Sequence, residues 1–178
     1  MRFFIGYLIQ GPAAAWHREV SDEIAERFGI WKVTEKNPPH VTIYYPFETD
    51  DIGSVKDYLR TWLASHRSSG TIEISGFDRF DDRVIFARVG VDRSVEGEIL
   101  ALRRELAVIV PARDALWPDQ LAWHPHATLA YKIPPETVRD IWNYVKTLPA
   151  PRFEAPFDNV TIFRWHGERW EIEEMLAT

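Results

Sequence analysis

Cysteine is missing from all 178 residues. Its absence removes structural disulfides, thiolate zinc sites and cysteine nucleophiles, and it is compatible with the cytoplasm, the expected location. Long hydrophobic runs are missing too. The opening segment MRFFIGYLIQGPAAAW is apolar for only about eight residues before it turns amphipathic, whereas a membrane span needs ~20. It reads as a strand, and no membrane partner is expected. An excess of positive charge is also lacking. A net charge of −6 argues against a protein that grips duplex nucleic acid by neutralising many phosphates. It leaves room for a small phosphate-bearing ligand, or an RNA end, in a locally basic cleft. What remains, 46% hydrophobic and 27% charged residues, is ordinary for a globular chain and sufficient for a sizeable core. Residues 1–178 are therefore expected to form a single bilobal domain, acting as a monomer.

Periodicity divides the chain into two similar halves. Phe3–Ile9 is a short apolar run of strand type, broken by Gly11-Pro12. Trp16, Val20, Ile24 and Phe28 then recur at helical spacing over Ala13–Phe28, with Gly29 as a stop. After a proline-containing loop, His40–Tyr45 reads as a strand, Ile52–His66 as a helix, SSG at 68–70 as a turn and Thr71–Phe77 as a strand. The order then repeats: strand Val84–Val89, helix Val95–Ile109, loop Ala112–Trp123, strand His126–Tyr131, helix Pro134–Leu148, strand Asn159–Trp165. DRFDDR at 78–83 and HGER at 166–169 close hairpins, the second leading into Trp170–Leu176. The predicted class is α+β: two pseudo-symmetric lobes, each an antiparallel sheet flanked by helices, with a central cleft.

Each half carries one copy of a short pattern. PPHVTIYY at 38–45 and HPHATLAY at 124–131 both contain P-H-x-T-x-x-Y. Side chains alternate along a strand, so His40 and Thr42 share a face, as do His126 and Thr128. If the lobes pack about a pseudo-twofold axis, two imidazoles and two hydroxyls meet in one cleft. Imidazole titrates near neutrality, so one ring can accept a proton while the other donates one. The hydroxyls can hold a phosphoryl oxygen between them. These are the groups required to cleave or form a phosphodiester without a metal, and no cofactor is called for.

The two motifs, P-H-V-T-I and P-H-A-T-L, resemble the paired H-x-[ST]-hydrophobic signatures of the two-histidine phosphoesterase superfamily, which includes LigT-like 2′-5′ RNA ligases and cyclic phosphodiesterases. The similarity extends over nearly the whole chain, with one signature per lobe. It implies a LigT-like fold and metal-independent chemistry on 2′,3′-cyclic phosphates or 2′-5′ linkages of RNA or nucleotides. His40, Thr42, His126 and Thr128 would be the catalytic residues, with His126 as base and His40 as acid in hydrolysis.

Four further residues are candidates for binding substrate. Arg88 and Lys132 could bring positive charge to a phosphate. Tyr7 stands where Arg88 does in the other half and could stack on a base, and Tyr44 shares the period-two face of His40 and Thr42. His124 makes an H-x-H with His126 that could join His40 in a metal site, but no carboxylate pattern completes one, so no metal is expected and His124 reads as a brace for the loop. His17, His66 and His166 are expected at the surface, as are the acidic clusters Glu48–Asp51 and Glu171–Glu174. Two alternatives remain: a module that binds RNA or nucleotides with little turnover, and a metal-dependent hydrolase.

Overall fold

The computed structural model describes residues 1–66, 70–80, 83–111 and 123–177. The turn predicted at 68–70 and the loop predicted at 112–123 therefore lie outside the described residues, apart from Gly70 and Trp123. The strands are β1 (Arg2–Leu8), β2 (His40–Glu48), β3 (Thr71–Phe80), β4 (Val84–Val91), β5 (His126–Tyr131), β6 (Arg152–Pro156), β7 (Asn159–Trp165) and β8 (Trp170–Ala177). Between them run helices α1 (Gly11–Phe28), α2 (Ile52–Ser65), α3 (Arg93–Ile109) and α4 (Pro135–Val145), with a 3₁₀ turn at Val33–Glu35. No helix among the described residues is long and apolar enough to cross a membrane.

Two four-stranded antiparallel sheets result, in the orders β2-β1-β7-β8 and β5-β4-β3-β6. The orders match strand for strand, so the pseudo-symmetry read from the sequence is present. The lobes, however, are not the sequence repeats. The first half gives β1 and β2 to one sheet and sends β3 to the centre of the other. The second half gives β4, β5 and β6 to that other sheet and sends β7 to the centre of the first and β8 to its edge. Helices cross over as well: α1 packs against β5 and α3 against β2. Strand β6 was not anticipated. Its sequence, RFEAP, is five residues long and ends on proline, and a proline is tolerated because β6 is an edge strand.

Local signals explain the elements. Pro12 sits in the first turn of α1, and the cap at Gly29 returns its N–H to the Ala25 carbonyl. The Asp51 carboxylate accepts the Ser54 N–H at 3.1 Å and caps α2. Lys56 and Arg60 on α2 pair with Glu173 and Glu174 of β8 at 2.6–3.3 Å, so this acidic cluster ties a helix to a sheet edge. One apolar cluster joins the inner sides of the helices to Phe3, Ile5 and Tyr7 of β1 and Ile85, Ala87 and Val89 of β4. The alternate residues of those strands, Phe4 and Phe86, are buried outside that cluster, on the other face of each sheet.

On that other face Gly6 is opposite Thr42. A Cβ at position 6 would lie 2.9 Å from the Val41 carbonyl oxygen and 3.2 and 3.4 Å from the rings of Phe163 and Phe4. Those rings are stacked at 4.4 Å, 6° apart, over the space glycine leaves. Because backbone cannot yield as a flexible side chain does, Gly6→Ala is expected to cost ~1–3 kcal/mol, the range of an overpacked core. Urea unfolding of the two proteins checks this, and an unchanged midpoint would refute it.

Candidate active site

β2 and β5, the motif strands, are the end strands of their sheets, and they lie against one another. His40 and Thr42 on one, and His126 and Thr128 on the other, are each partly exposed, while Val41, Ile43, Ala127 and Leu129 are buried. The alternation predicted for both motifs is therefore present. Burial is the main reason the pKa of His40 is lowered, and the positive charge of a protonated His126 adds to it.

The surroundings of the rings repeat. Nδ1 of His40 is 2.7 Å from the Pro38 carbonyl, and Nδ1 of His126 is 2.8 Å from the His124 carbonyl. A carbonyl only accepts, so each Nδ1 carries the proton and each neutral ring presents Nε2 as a bare lone pair. Each ring also rests on two phenylalanines. His40 lies 4.7 Å from Phe4 of β1 and 5.4 Å from Phe163 of β7. His126 lies 5.2 Å from Phe86 of β4 and 4.8 Å, edge-on, from Phe80 of β3. The strand exchange supplies these partners, since each histidine is flanked by one ring from its own half and one from the other. Burial among them lowers both pKa values; His40 falls to about 4, with the charge of His126 adding to the effect.

Of the four candidate binding residues, two are exposed, Arg88 and Lys132. Arg88 pairs directly with His126 across β4 and β5 and is exposed. Its guanidinium lies over Gly76, where a Cβ would sit 2.5 Å from one nitrogen, and Nε donates to the Ser75 carbonyl at 3.4 Å. Gly76 has φ of +64° at an irregularity in β3, so glycine both makes the bulge and clears the space. Lys132, exposed just past β5, holds a left-handed φ of 57°, with its ammonium over the rings of Trp31 and Tyr131 at 5.8 and 5.5 Å.

Tyr7 and Tyr44 are corrections. The strand partner of His40 in β1 is Leu8, so Leu8 and not Tyr7 is the counterpart of Arg88. Tyr7 faces the core at 4% exposure, against Phe157, and its hydroxyl donates to the Pro156 carbonyl at 3.2 Å. Tyr44 is displaced by irregular pairing between Ile5 and Gly6 of β1 and the facing residues of β2, which puts Ile43 and Tyr44 both inside. It is 1% exposed and donates its hydroxyl to the Val110 carbonyl at 2.8 Å.

His17 is a third correction. It is 2% exposed, not at the surface, and its Nε2 lies 2.8 Å from the Thr128 carbonyl. Ala13, Val20 and Ile24 share its buried helix face, so helical spacing in the sequence could have revealed it. His66 stacks on Trp62 and His166 faces Glu171 at 3.7 Å. Among the described residues no three His, Asp or Glu side chains gather to hold a metal ion. The side chain of His124 is exposed, and its backbone carbonyl is the one that meets Nδ1 of His126.

A profile of the 2′-5′ RNA ligase superfamily matches residues 12–169. The chain belongs to that superfamily. No curated protein matches it by sequence. Among solved structures it is similar to TT0787 of Thermus thermophilus, at 19% identity and a TM-score of 0.52, over 99% of this chain and 97% of that one. A crystal structure described only as a phosphoesterase gives 18% and 0.54, over 99% and 97%. E. coli LigT, crystallised with 3′-AMP, gives 18% and 0.51, over 99% and 96%. At such identities these neighbours establish the fold, and the LigT-like α+β architecture expected from the two motifs is the one observed.

In this member of the 2′-5′ RNA ligase superfamily the burial of His17 has a measurable consequence. Burial holds His17 at about 4 as well, whereas an unfolded histidine titrates near 6.5. Above pH ~6.5 both states are neutral and the full stability is present. Below it the unfolded chain takes up the proton first, so stability falls until about pH 4, by at most ~1.4 kcal/mol per pH unit for this group. Urea midpoints measured from pH 7 to 4.5 should therefore decline less steeply in His17→Gln than in the parent; parallel curves would contradict the assignment.

Proposed function

We propose that this member of the superfamily is a metal-independent phosphoesterase that opens 2′,3′-cyclic phosphates, or cleaves 2′-5′ phosphodiesters, of RNA ends or nucleotides. The observation that carries the reading is the matched pair of imidazoles, each fixed through Nδ1 to a carbonyl two residues upstream and each presenting Nε2. A binding module has no need of two proton-transfer groups held in one tautomer. The nucleotide held by E. coli LigT supports a nucleotide-sized substrate.

In hydrolysis a water attacks phosphorus in line with the departing ribose oxygen. Nε2 of His126 takes a proton from the water as its oxygen bonds to phosphorus. Nε2–H of His40 gives a proton to the ribose oxygen as the P–O bond breaks, leaving a phosphomonoester. The roles exchange in the ligation direction, for which the symmetry of the site is suited. Thr42 and Thr128 donate hydroxyl hydrogen bonds to the non-bridging oxygens, worth up to ~3 kcal/mol each if they tighten in the transition state. Arg88, in register with His126, adds a fixed positive charge beside the same phosphate.

Turnover of a 2′,3′-cyclic nucleotide, followed as the phosphomonoester product, tests the reading. His40→Ala and His126→Ala should each lose on the order of 10²-fold or more, and the double variant much less than the product of the two. Thr42→Ala and Thr128→Ala should cost less. EDTA should leave the rate unchanged; chelator-sensitive turnover would favour a metal-dependent hydrolase instead. A folded His40→Ala or His126→Ala protein with undiminished turnover would end the proposal.

The pH profile supplies an independent check. The kcat/KM profile reports the free enzyme, where burial depresses both imidazoles, so its bell should lie below ~6.5. A bound phosphate favours the protonated ring, so the kcat bell should lie at higher pH. Coincident bells centred at or above the ordinary histidine value would contradict the site as described.

A further inference from the structure

Both motif strands end a sheet, and an end strand has backbone groups that no neighbouring strand satisfies. The carbonyls of the two motif threonines meet this need in the same way. Thr128 O is 2.8 Å from His17 Nε2, on a helix of the first half. Thr42 O accepts the indole N–H of Trp123, from the second half, also at 2.8 Å. The partners are 111 and 81 residues apart in sequence. Beside the second bond, Arg103 of α3 donates to the carbonyl of Ile43.

We infer that His17 and Trp123 are reciprocal positioning residues: a ring N–H from each half of the chain fixes the threonine-bearing strand of the other half, and so sets the register between the two motifs. This rests on the reaction proposed above, but the bonds themselves do not. Packing alone is a poor account of His17. Its Nδ1 is buried without a hydrogen-bond partner among the described residues, as is the hydroxyl of Ser21 one turn along α1. A leucine at position 17 would avoid that penalty, and the imidazole offers in return one donor aimed at one carbonyl. Both donors sit on planar rings that are nearly fully buried, so they hold a strand with little side-chain freedom. The bound backbone atoms belong to the residues that carry the Thr42 and Thr128 hydroxyls, two positions from the imidazoles. A shift of about 1 Å in such groups can cost ~10²-fold in rate.

The test compares Trp123→Phe, His17→Leu and His17→Gln, with folding checked by thermal unfolding. Trp123→Phe and His17→Leu should lower kcat on a 2′,3′-cyclic nucleotide by about tenfold or more with KM within about twofold, since positioning and not affinity is lost. His17→Gln, which keeps an N–H donor, should recover most of the rate. Equal losses in His17→Leu and His17→Gln, or parental kcat in Trp123→Phe, would overturn the inference. Amide NMR shifts separate this outcome from failure of the reaction itself. Even in a protein with no turnover, His17→Leu should move the resonances of residues 126–130 and His17→Gln should largely restore them, and unmoved resonances would overturn it. Should the variants not fold, exchange of the Trp123 indole N–H in the parent protein decides: strong protection is expected, and free exchange with solvent would refute the bond.

Discussion

A β-strand at the end of a sheet must find partners for its outer edge, and in this protein both histidine-bearing strands are end strands. Much of the arrangement follows from how those two edges are met. β2 and β5 are set against one another, with α1 on one and α3 on the other, and the ring donors of His17 and Trp123 reach across between halves. Neither motif strand is held only by its own half of the chain. The candidate active site is thereby built at the seam where edge groups would otherwise face water.

The exchange of β3 and β7 serves the same seam. Had each repeat folded on its own, His40 would lack Phe163 and His126 would lack Phe80. With the exchange, each imidazole is packed against two aromatic rings and bonded to one carbonyl, which fixes its plane and its tautomer together. Apolar packing also lowers the affinity of both rings for protons. In the proposed reaction the charge of the substrate would counter this before either ring acts as an acid, linking binding of a phosphate to readiness for proton transfer.

Backbone devices set the two cations beside the motif strands. Gly76, at an irregularity in β3, leaves room for the Arg88 guanidinium, and Lys132 leaves the end of β5 through a left-handed conformation. Both side chains stay exposed, which avoids the desolvation cost of a buried cation.

The amino-acid sequence alone determined the elements other than β6, their pseudo-symmetric order and the faces of the four motif residues, because period-two and period-3.6 patterns are local and a strand assigns its faces by alternation. His40, Thr42, His126 and Thr128 were legible for that reason. Tyr44 was not, since one irregular pairing beside β1 inverts the faces beyond it, and alternation carries no record of a bulge. Tyr7 was matched to Arg88 one residue out of step, because only strand pairing shows that Leu8 faces His40. The destinations of β3 and β7, the aromatic beds of the two imidazoles and the bonds from His17 and Trp123 were decided by tertiary structure. They join residues far apart in the chain, and such contacts depend on which edges and faces meet when the halves pack.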